Sequence, residues 1–187
     1  MVKFFTFSDI LYSAKEREKS EFNEVFNVEI NDLSKIFHVR KLDKDDVELI
    51  YNLSCKNHIF YQYHPPFVTR ESILDDMEAL PPGTSYDDKF YVGFFENESL
   101  VAIMDLILDY PIKEIAFIGL FMTNIQYQHK GVSSKIISEI AMYLKSLGYK
   151  KIRIGVDKGN PQSYSFWSKN NFNAISEDTY ILMELDI

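Results

Sequence analysis

The stretch Phe121-Met-Thr-Asn-Ile-Gln-Tyr-Gln-His-Lys-Gly-Val-Ser-Ser134 leads from an apolar run through a polar loop and a glycine into a periodic segment. The start of a helix presents unpaired N–H groups and the positive end of its dipole, and glycine at 131 lets a phosphate approach the backbone closely. The stretch therefore predicts a strand, a loop and a long helix that ends at Gly148, with a buried face of Val132, Ile136, Ile137, Ile140, Leu144 and Leu147. The helix start is interpreted as an anion site, and a simple turn without a ligand is the alternative.

The remaining pattern indicates alternating strands and helices from Phe37 onward. Helices are predicted after Asp43, after Thr69 and over Pro161–Lys169, and the aromatic segment 57–67 between the first two is predicted as a loop. Three consecutive strands joined by short turns predict antiparallel neighbours. The predicted order is βαα, βββ, α, β, α, ββ, with strands at 37–42, 90–95, 100–108, 115–122, 151–156, 172–175 and 180–185.

The N-terminal part of the chain has a different pattern. Residues 1–36 are rich in charge and show no strand partner, so we interpret them as an accessory segment before a domain at 37–187. A helix packed on its own domain explains this segment, and a docking arm with a role in protein interaction is the alternative.

Charge and composition limit the classes of partner. With 20 basic and 28 acidic residues the chain has a net charge of −8, which disfavours nucleic acids and anionic membranes and favours cationic substrates. No apolar run approaches the ~18 residues that span a bilayer. Cys55 is the sole cysteine, so we expect a cytoplasmic protein without an internal disulfide. A homodimer is left open.

Two familiar phosphate-binding motifs are excluded by spacing. None of the seven glycines forms a Gly-x-Gly pair, so the dinucleotide fingerprint is missing, and no glycine-rich run leads into Gly-Lys-Ser/Thr. The sequence therefore disfavours NAD and ATP as ligands.

Two motifs resemble one protein family. Gln128-His-Lys-Gly-Val-Ser133 resembles the Gln/Arg-x-x-Gly-x-Gly/Ala signature of the GNAT superfamily of N-acetyltransferases. Asn160-Pro-Gln-Ser-Tyr-Ser-Phe-Trp-Ser-Lys-Asn-Asn-Phe172 is similar to the family's Asn-x-x-Ala-x-x-Phe-Tyr-x-Lys-x-Gly-Phe. The element order over 37–187 also matches. The resemblance implies an α/β (α+β) fold with a mixed, mainly antiparallel sheet flanked by helices.

The resemblance also implies acetyl-CoA as cosubstrate and no metal. The pantetheine arm would lie on the fourth strand where it separates from the fifth, and the pyrophosphate would lie on the amides of the helix start. Asn160 would bond the pantetheine or the developing tetrahedral centre. The residues expected to bind the cosubstrate are Phe121, Met122, Thr123, Gln128, His129, Lys130, Gly131, Val132, Ser133, Ser134, Asn160 and Phe166.

The chain departs from the family pattern at two positions. Ser133 replaces glycine or alanine, which is tolerable if its hydroxyl points away from the phosphate or donates to it. Trp167 stands where the family often has a tyrosine that protonates the CoA thiolate, and indole has only a non-acidic N–H. Tyr164, one turn earlier, is the candidate acid, and packing, exposure or protonation by solvent are the alternatives.

The base that deprotonates the amine has several candidates. Asp105 lies within an apolar strand, where a carboxylate needs a partner or a purpose. A base or a substrate anchor is one interpretation, and a structural hydrogen bond or a solvent-facing position is the other. His64 and Glu114 are the fallback bases. By family analogy, Tyr61, Tyr63 and His64 lie in the loop that lines the acceptor pocket.

These features predict an enzyme that moves an acetyl group from acetyl-CoA to the amine of a small molecule, by direct attack in a ternary complex. Two alternatives stay open: a protein or peptide N-acetyltransferase, and a non-catalytic acetyl-CoA-binding regulatory module.

Overall fold

The computed structural model describes residues 28–187, and these form one seven-stranded sheet with helices on both faces. The elements are β1 (His38–Lys41), α1 (Val47–Ser54), α2 (His58–Tyr63), α3 (Arg70–Glu78), β2 (Lys89–Glu96), β3 (Ser99–Ile107), β4 (Ile115–Thr123), α4 (Val132–Ser146), β5 (Lys151–Asp157), α5 (Pro161–Lys169), β6 (Asn173–Glu177) and β7 (Tyr180–Asp186).

The sheet is mixed and mainly antiparallel, as predicted. Its strand order is β1-β2-β3-β4-β5-β7-β6, and β4 and β5 form the parallel pair at its centre. The predicted antiparallel succession of β2, β3 and β4 is confirmed. The parallel pair requires a crossover, which α4 supplies by returning the chain from the end of β4 to the start of β5.

Alternation along the strands places two apolar clusters on opposite faces of the sheet. In β2, Val92 and Phe94 join the cluster beneath α4 and α5, whereas Tyr91 and Phe95 join the cluster beneath α1 and α3. Successive side chains of a strand point to opposite faces, so this pattern follows from the sequence. Each fully buried side chain of this size contributes about 1.5–3 kcal/mol to stability.

The prediction of a loop over residues 57–67 is wrong in its first half, because α2 begins at His58. This short helix has no side-chain cap among the described residues, and most of its residues are aromatic or histidine, which are mediocre helix formers. Phe60 and Tyr61 pack against the cluster beneath α1 and α3. Tertiary packing, which a local pattern does not reveal, therefore stabilises α2.

The start of the described chain belongs to the domain core. Val28 and Leu33 are buried in the cluster beneath α4, and Ser34 Oγ donates a 2.6 Å hydrogen bond to Glu139 Oε2 of α4. Residues 1–27, most of the predicted accessory segment, lie outside the described residues, and the predicted division at residue 37 stays a prediction. Within 28–187, no helix is long and apolar enough to cross a membrane.

Candidate active site

The sheet opens between its two central strands. Strands β4 and β5 pair over residues 115–118 and 151–154, and both continue past this paired part, to Thr123 and Asp157. A register shift opposite Asp105 marks a bulge in β4 at Gly119. A Cβ at Gly119 would lie 2.6 Å from Asp105 Oδ2, so the close approach of that carboxylate requires glycine. Beyond the bulge the strands separate, and their unpaired edges face each other.

A cleft of about 600 Å³ lies at this opening. The predicted cosubstrate residues 121–123 at the end of β4 line it, and so do Gln128, His129, Ser133, Asn160 and Phe166. Lys130, Gly131, Val132 and Ser134 lie at the start of α4 without belonging to this lining. The structure therefore brings most of the predicted set together around one cleft.

The start of α4 has the geometry of an anion site. Gly131 precedes the helix with a φ of 79°, a left-handed conformation that favours glycine. A Cβ there would meet no atom of residues 28–187 within 4 Å, and no described side chain caps the helix end. The N–H groups of the first turn have no acceptor within the helix. The space in front of Gly131 can thus admit a phosphate.

Ser133 is held away from this space by a specific contact. Its Oγ lies 2.9 Å from Oγ1 of Thr123, at the end of β4. The hydroxyl that departs from the family's glycine or alanine therefore ties the first turn of α4 to the strand, and its effect on phosphate binding stays a prediction.

The carbonyl of Thr123 is already occupied by two amide side chains. Gln128 Nε2 donates to it at 3.0 Å and Asn57 Nδ2 at 3.4 Å, and Gln128 also donates to Asn57 Oδ1 at 2.7 Å. A carbonyl oxygen has two lone pairs, so this one has little capacity for a further donor. Gln128 thus fixes the end of β4, an indirect way of shaping the cleft.

The aromatic residues of α5 lie in different environments. Trp167 is 3% exposed and packs edge-on against Phe121, Phe166 and Phe172, with ring centroids 4.9 to 6.0 Å apart. Tyr164 is 42% exposed and lines a different cavity, of about 630 Å³, beside β6. This placement disfavours Tyr164 as the acid, a role that stays a prediction.

Asp105 is buried in the middle of β3, so a solvent-facing position is excluded. Its Oδ2 accepts a 2.7 Å hydrogen bond from Nζ of the buried Lys89. Its Oδ1 has no partner among residues 28–187 and is closed to solvent. Burial raises the pKa of Asp105, and the Lys89 ammonium opposes part of that rise. The geometry favours the structural role, and the base or anchor role stays a prediction.

Glu114 is poorly placed for a base. It is exposed and directly precedes β4, at the end where β4 and β5 are still paired, and its carbonyl accepts from the N–H of Lys150. The opening of the sheet lies at the other end of β4. The ring of His64 lies 5.2 Å from that of Phe60, which lines the cleft, so His64 is the better placed of the two fallback bases.

A cluster of acidic and aromatic side chains adjoins the cleft on the α2 side. His64 Nδ1 lies 3.0 Å from Asp157 Oδ1, and this contact with the carboxylate raises the pKa of His64. Asp76 keeps contact with solvent, yet the surrounding protein and the Asp105 carboxylate raise its pKa to about 6. Burial raises the pKa of Tyr61 to about 12. Two carboxylates, those of Asp76 and Asp157, and one imidazole therefore lie beside the cleft on the side of α2.

The segment around α2 was expected to line the acceptor pocket through Tyr61, Tyr63 and His64, but the residues of this segment that line the cleft are its earlier ones, which the sequence did not single out. The lining of the cleft includes Lys56, Asn57, His58, Ile59 and Phe60. The mixture of polar and aromatic residues there was a signal, but the predicted loop gave no direction to its side chains. Lys56 and Lys169 bring positive charge to a cleft in an acidic chain, which suits a phosphorylated ligand.

Solved structures share this fold. The PaiA N-acetyltransferase of Thermoplasma acidophilum, in complex with coenzyme A, is 20% identical, with a TM-score of 0.62 over 81% of this chain and 99% of that chain. An acetyltransferase of Thermus thermophilus is 17% identical, with a TM-score of 0.70 over 81% and 97%. The ribosomal-protein-S18-alanine N-acetyltransferase of Escherichia coli is 13% identical, with a TM-score of 0.58 over 81% and 94%.

The sequence itself matches a family model. No curated protein matches the chain significantly. The model of the acetyltransferase (GNAT) family matches residues 48–172, which include the separating strands, the start of α4 and the whole of α5. The chain therefore belongs to the acetyltransferase (GNAT) family.

Proposed function

We propose that the acceptor of this acetyl-CoA-dependent N-acetyltransferase is a small primary amine that carries positive charge. The observation that carries the proposal is the group of acidic side chains, Asp76 and Asp157, with His64 and Tyr61, beside the cleft. Carboxylates attract an ammonium group, and aromatic faces stabilise a cation nearby. The net charge of −8 acts in the same direction.

The cleft fits acetyl-CoA on three observations. Residues 121–123 at the end of β4 line it, the uncapped start of α4 with the open space at Gly131 adjoins it, and Lys56 and Lys169 also line it. Bound there, acetyl-CoA supplies a thioester carbonyl that an amine can attack directly. The residues of the chain orient the two substrates, and the described residues hold no group of three or more His, Cys, Asp or Glu suited to a metal.

Asn160 is the side chain that we propose contacts the pantetheine or the thioester. It is buried, lines the cleft and caps α5, because its Oδ1 accepts a 3.0 Å hydrogen bond from the N–H of Ser163. The other end of the amide, Nδ2, is a donor. The cap thus fixes the side chain so that its donor end is available to a ligand.

Replacing Asn160 by Asp or Ala separates these two functions. Asn160→Asp keeps the oxygen that caps α5 and removes the donor, so we expect kcat/KM to fall about tenfold at unchanged stability. Asn160→Ala should show the same kinetic loss and, in addition, lose about 1 kcal/mol of unfolding free energy with the cap. Steady-state kinetics and urea unfolding measure both quantities. Full activity in Asn160→Asp would show that the donor has no role.

The runner-up acceptor is a protein or peptide N-terminus or lysine. A non-catalytic acetyl-CoA sensor is the second alternative, because Trp167 replaces the family's tyrosine. A thiol has a pKa of ~8.5, so CoA is a fair leaving group without a protein acid, which weakens the case for a sensor. A homodimer and a cytoplasmic location stay predictions.

The experiment is a panel of acceptors assayed for thiol release from acetyl-CoA. Butylamine, putrescine, lysine and a short peptide with a free N-terminus are each supplied at equal concentration. We expect turnover with the small cationic amines and a lower kcat/KM with the peptide. Preference for the peptide would support the runner-up, and tight acetyl-CoA binding without turnover of any amine would support the sensor.

A further inference from the structure

A histidine and an aspartate form a pair at the edge of the cleft. His64 directly follows α2, and Asp157 is the last residue of β5. Their side chains meet through Nδ1 and Oδ1 at 3.0 Å, although 93 positions separate them in the sequence. The Asp157 side chain is 14% exposed and that of His64 is 40% exposed. The aspartate is thus mostly buried behind an accessible imidazole.

The pair is connected to the cleft on both sides. The ring of Phe60, which lines the cleft, lies 5.2 Å from the imidazole of His64. The carbonyl of Asp157 accepts a 3.2 Å hydrogen bond from the N–H of Asn160, which also lines the cleft. His64 and Asp157 therefore each contact a residue that lines the cleft.

We propose that His64 is the base that removes the proton from the acceptor ammonium, and that Asp157 is the positioning residue that holds its imidazole. This inference rests on the proposed function, since it needs an amine acceptor. When neutral His64 donates Nδ1–H to Asp157, the other ring nitrogen, Nε2, is the proton acceptor. The carboxylate also stabilises the imidazolium that forms.

The groups that face His64 favour this role. Asp157 approaches from β5, the ring of Tyr180 from β7 at 6.5 Å, and Asp76 acts on it electrostatically from α3. The hydrogen bond to Asp157 is the main cause of the raised pKa of His64, and burial opposes it. A base is most effective when its pKa lies near the working pH, and the contact with Asp157 raises the pKa of His64 from its ordinary value of ~6.5.

The proton and electron balance is complete with the two substrates and His64. The ammonium gives one proton to Nε2, and the free amine remains. The amine nitrogen forms a bond to the acetyl carbon while the carbon–sulfur bond breaks and its electron pair leaves with sulfur. The second proton of nitrogen goes to the thiolate, and His64 returns its proton to solvent. The products are an amide, CoA thiol and one proton.

The test is the pH dependence of kcat at saturating concentrations of both substrates. The acceptor is whichever of butylamine, putrescine, lysine and the short peptide has the highest kcat/KM. The wild-type rate should fall as pH drops and His64 becomes protonated. Asp157→Asn removes the charge that raises the pKa of His64, so the acidic limb should move to lower pH. His64→Gln should lower kcat at neutral pH about 10²-fold, with a smaller deficit at high pH, where the amine deprotonates unaided.

Chemical rescue distinguishes a base from a structural contact. Added imidazoles should restore turnover to His64→Gly, with rates that increase with the basicity of the added compound. His38→Gln on β1, an exposed histidine remote from the cleft, is the matched control and should behave as wild type. Asp76→Asn should change the KM of the amine and move the kcat limb to lower pH by less than Asp157→Asn does, because Asp76 acts on His64 through its charge alone.

Three outcomes overturn the inference. The first is an acidic limb of the kcat profile that does not move in Asp157→Asn, and the second is a limb that disappears in Asp76→Asn. The third is a folded His64→Gly whose turnover no imidazole restores. Each would show that His64 is not the base. If the wild type acetylates no amine at any pH, the proposed function fails, and the roles proposed for His64 and Asp157 fail with it. If the wild type turns over an amine but the acidic limb does not move in Asp157→Asn, only the roles of His64 and Asp157 are overturned.

Discussion

Gly131→Glu should weaken CoA binding about 10²-fold or more, because it places a carboxylate beside the pyrophosphate, and a like-charge contact of this kind costs several kcal/mol. The open space around the Cβ position shows that the side chain can be accommodated by the described protein. Isothermal titration calorimetry with CoA measures the effect directly. The fold should survive, since the cost of a left-handed φ for a residue other than glycine is about 1–2 kcal/mol.

Two variants separate this effect from backbone strain. Gly131→Ala carries the same strain without the charge, and should bind CoA far more tightly than Gly131→Glu. Gly148→Ala has a similar φ of 91° at the other end of α4, and should lose stability without losing CoA affinity. Unchanged CoA affinity in a folded Gly131→Glu would mean that the phosphate binds elsewhere.

Asp105→Asn should lower the free energy of unfolding by about 3–5 kcal/mol, because it leaves the buried Lys89 ammonium without its counter-charge. Lys89→Met should also be destabilising, because it leaves the buried Asp105 carboxylate without its counter-charge. The double variant Lys89→Met/Asp105→Asn removes both charges and should recover most of the loss, because a buried pair is costly mainly when one member is missing. Urea unfolding of the four proteins gives the coupling energy of the pair.

The same variant decides between the two interpretations of Asp105. If Asp105 anchors or deprotonates the amine, Asp105→Asn should retain its stability and lose ~10²-fold in kcat/KM for cationic amines. If the ion pair is structural, stability falls and the kinetic defect is shared by all acceptors. Asp87→Asn, an exposed aspartate just ahead of β2, is the matched control for both measurements.

Local features of the fold were predictable from the sequence because they depend on neighbouring residues. Thr69 caps α3 through a reciprocal bond with Ser72, and Gly131 begins α4 in a left-handed conformation, as their residue types indicate. The alternation that divides β2 between two clusters is likewise local. Helix α2 was missed, because its stability comes from the packing of Phe60 and Tyr61 rather than from its own sequence.

Contacts between distant residues were beyond the sequence. Nothing near Asp105 indicates Lys89, because the pairing depends on the register of β2 against β3. The contact of His64 with Asp157 requires the placement of α2, which the pattern did not show. Tyr164 and Trp167 are three positions apart, which on a helix leaves them about 60° out of line. Once Trp167 faces the core, Tyr164 is turned toward β6.

The most direct test of the account is the fate of an isotopically labelled acetyl group. Acetyl-CoA that carries the label is mixed with the protein and putrescine in a single turnover, and small molecules and protein are then analysed by mass spectrometry. Direct attack in a ternary complex predicts that the label appears on the amine and that the protein mass is unchanged at every time point. Label that passes through the protein, or that remains on CoA while CoA stays bound, would contradict the account.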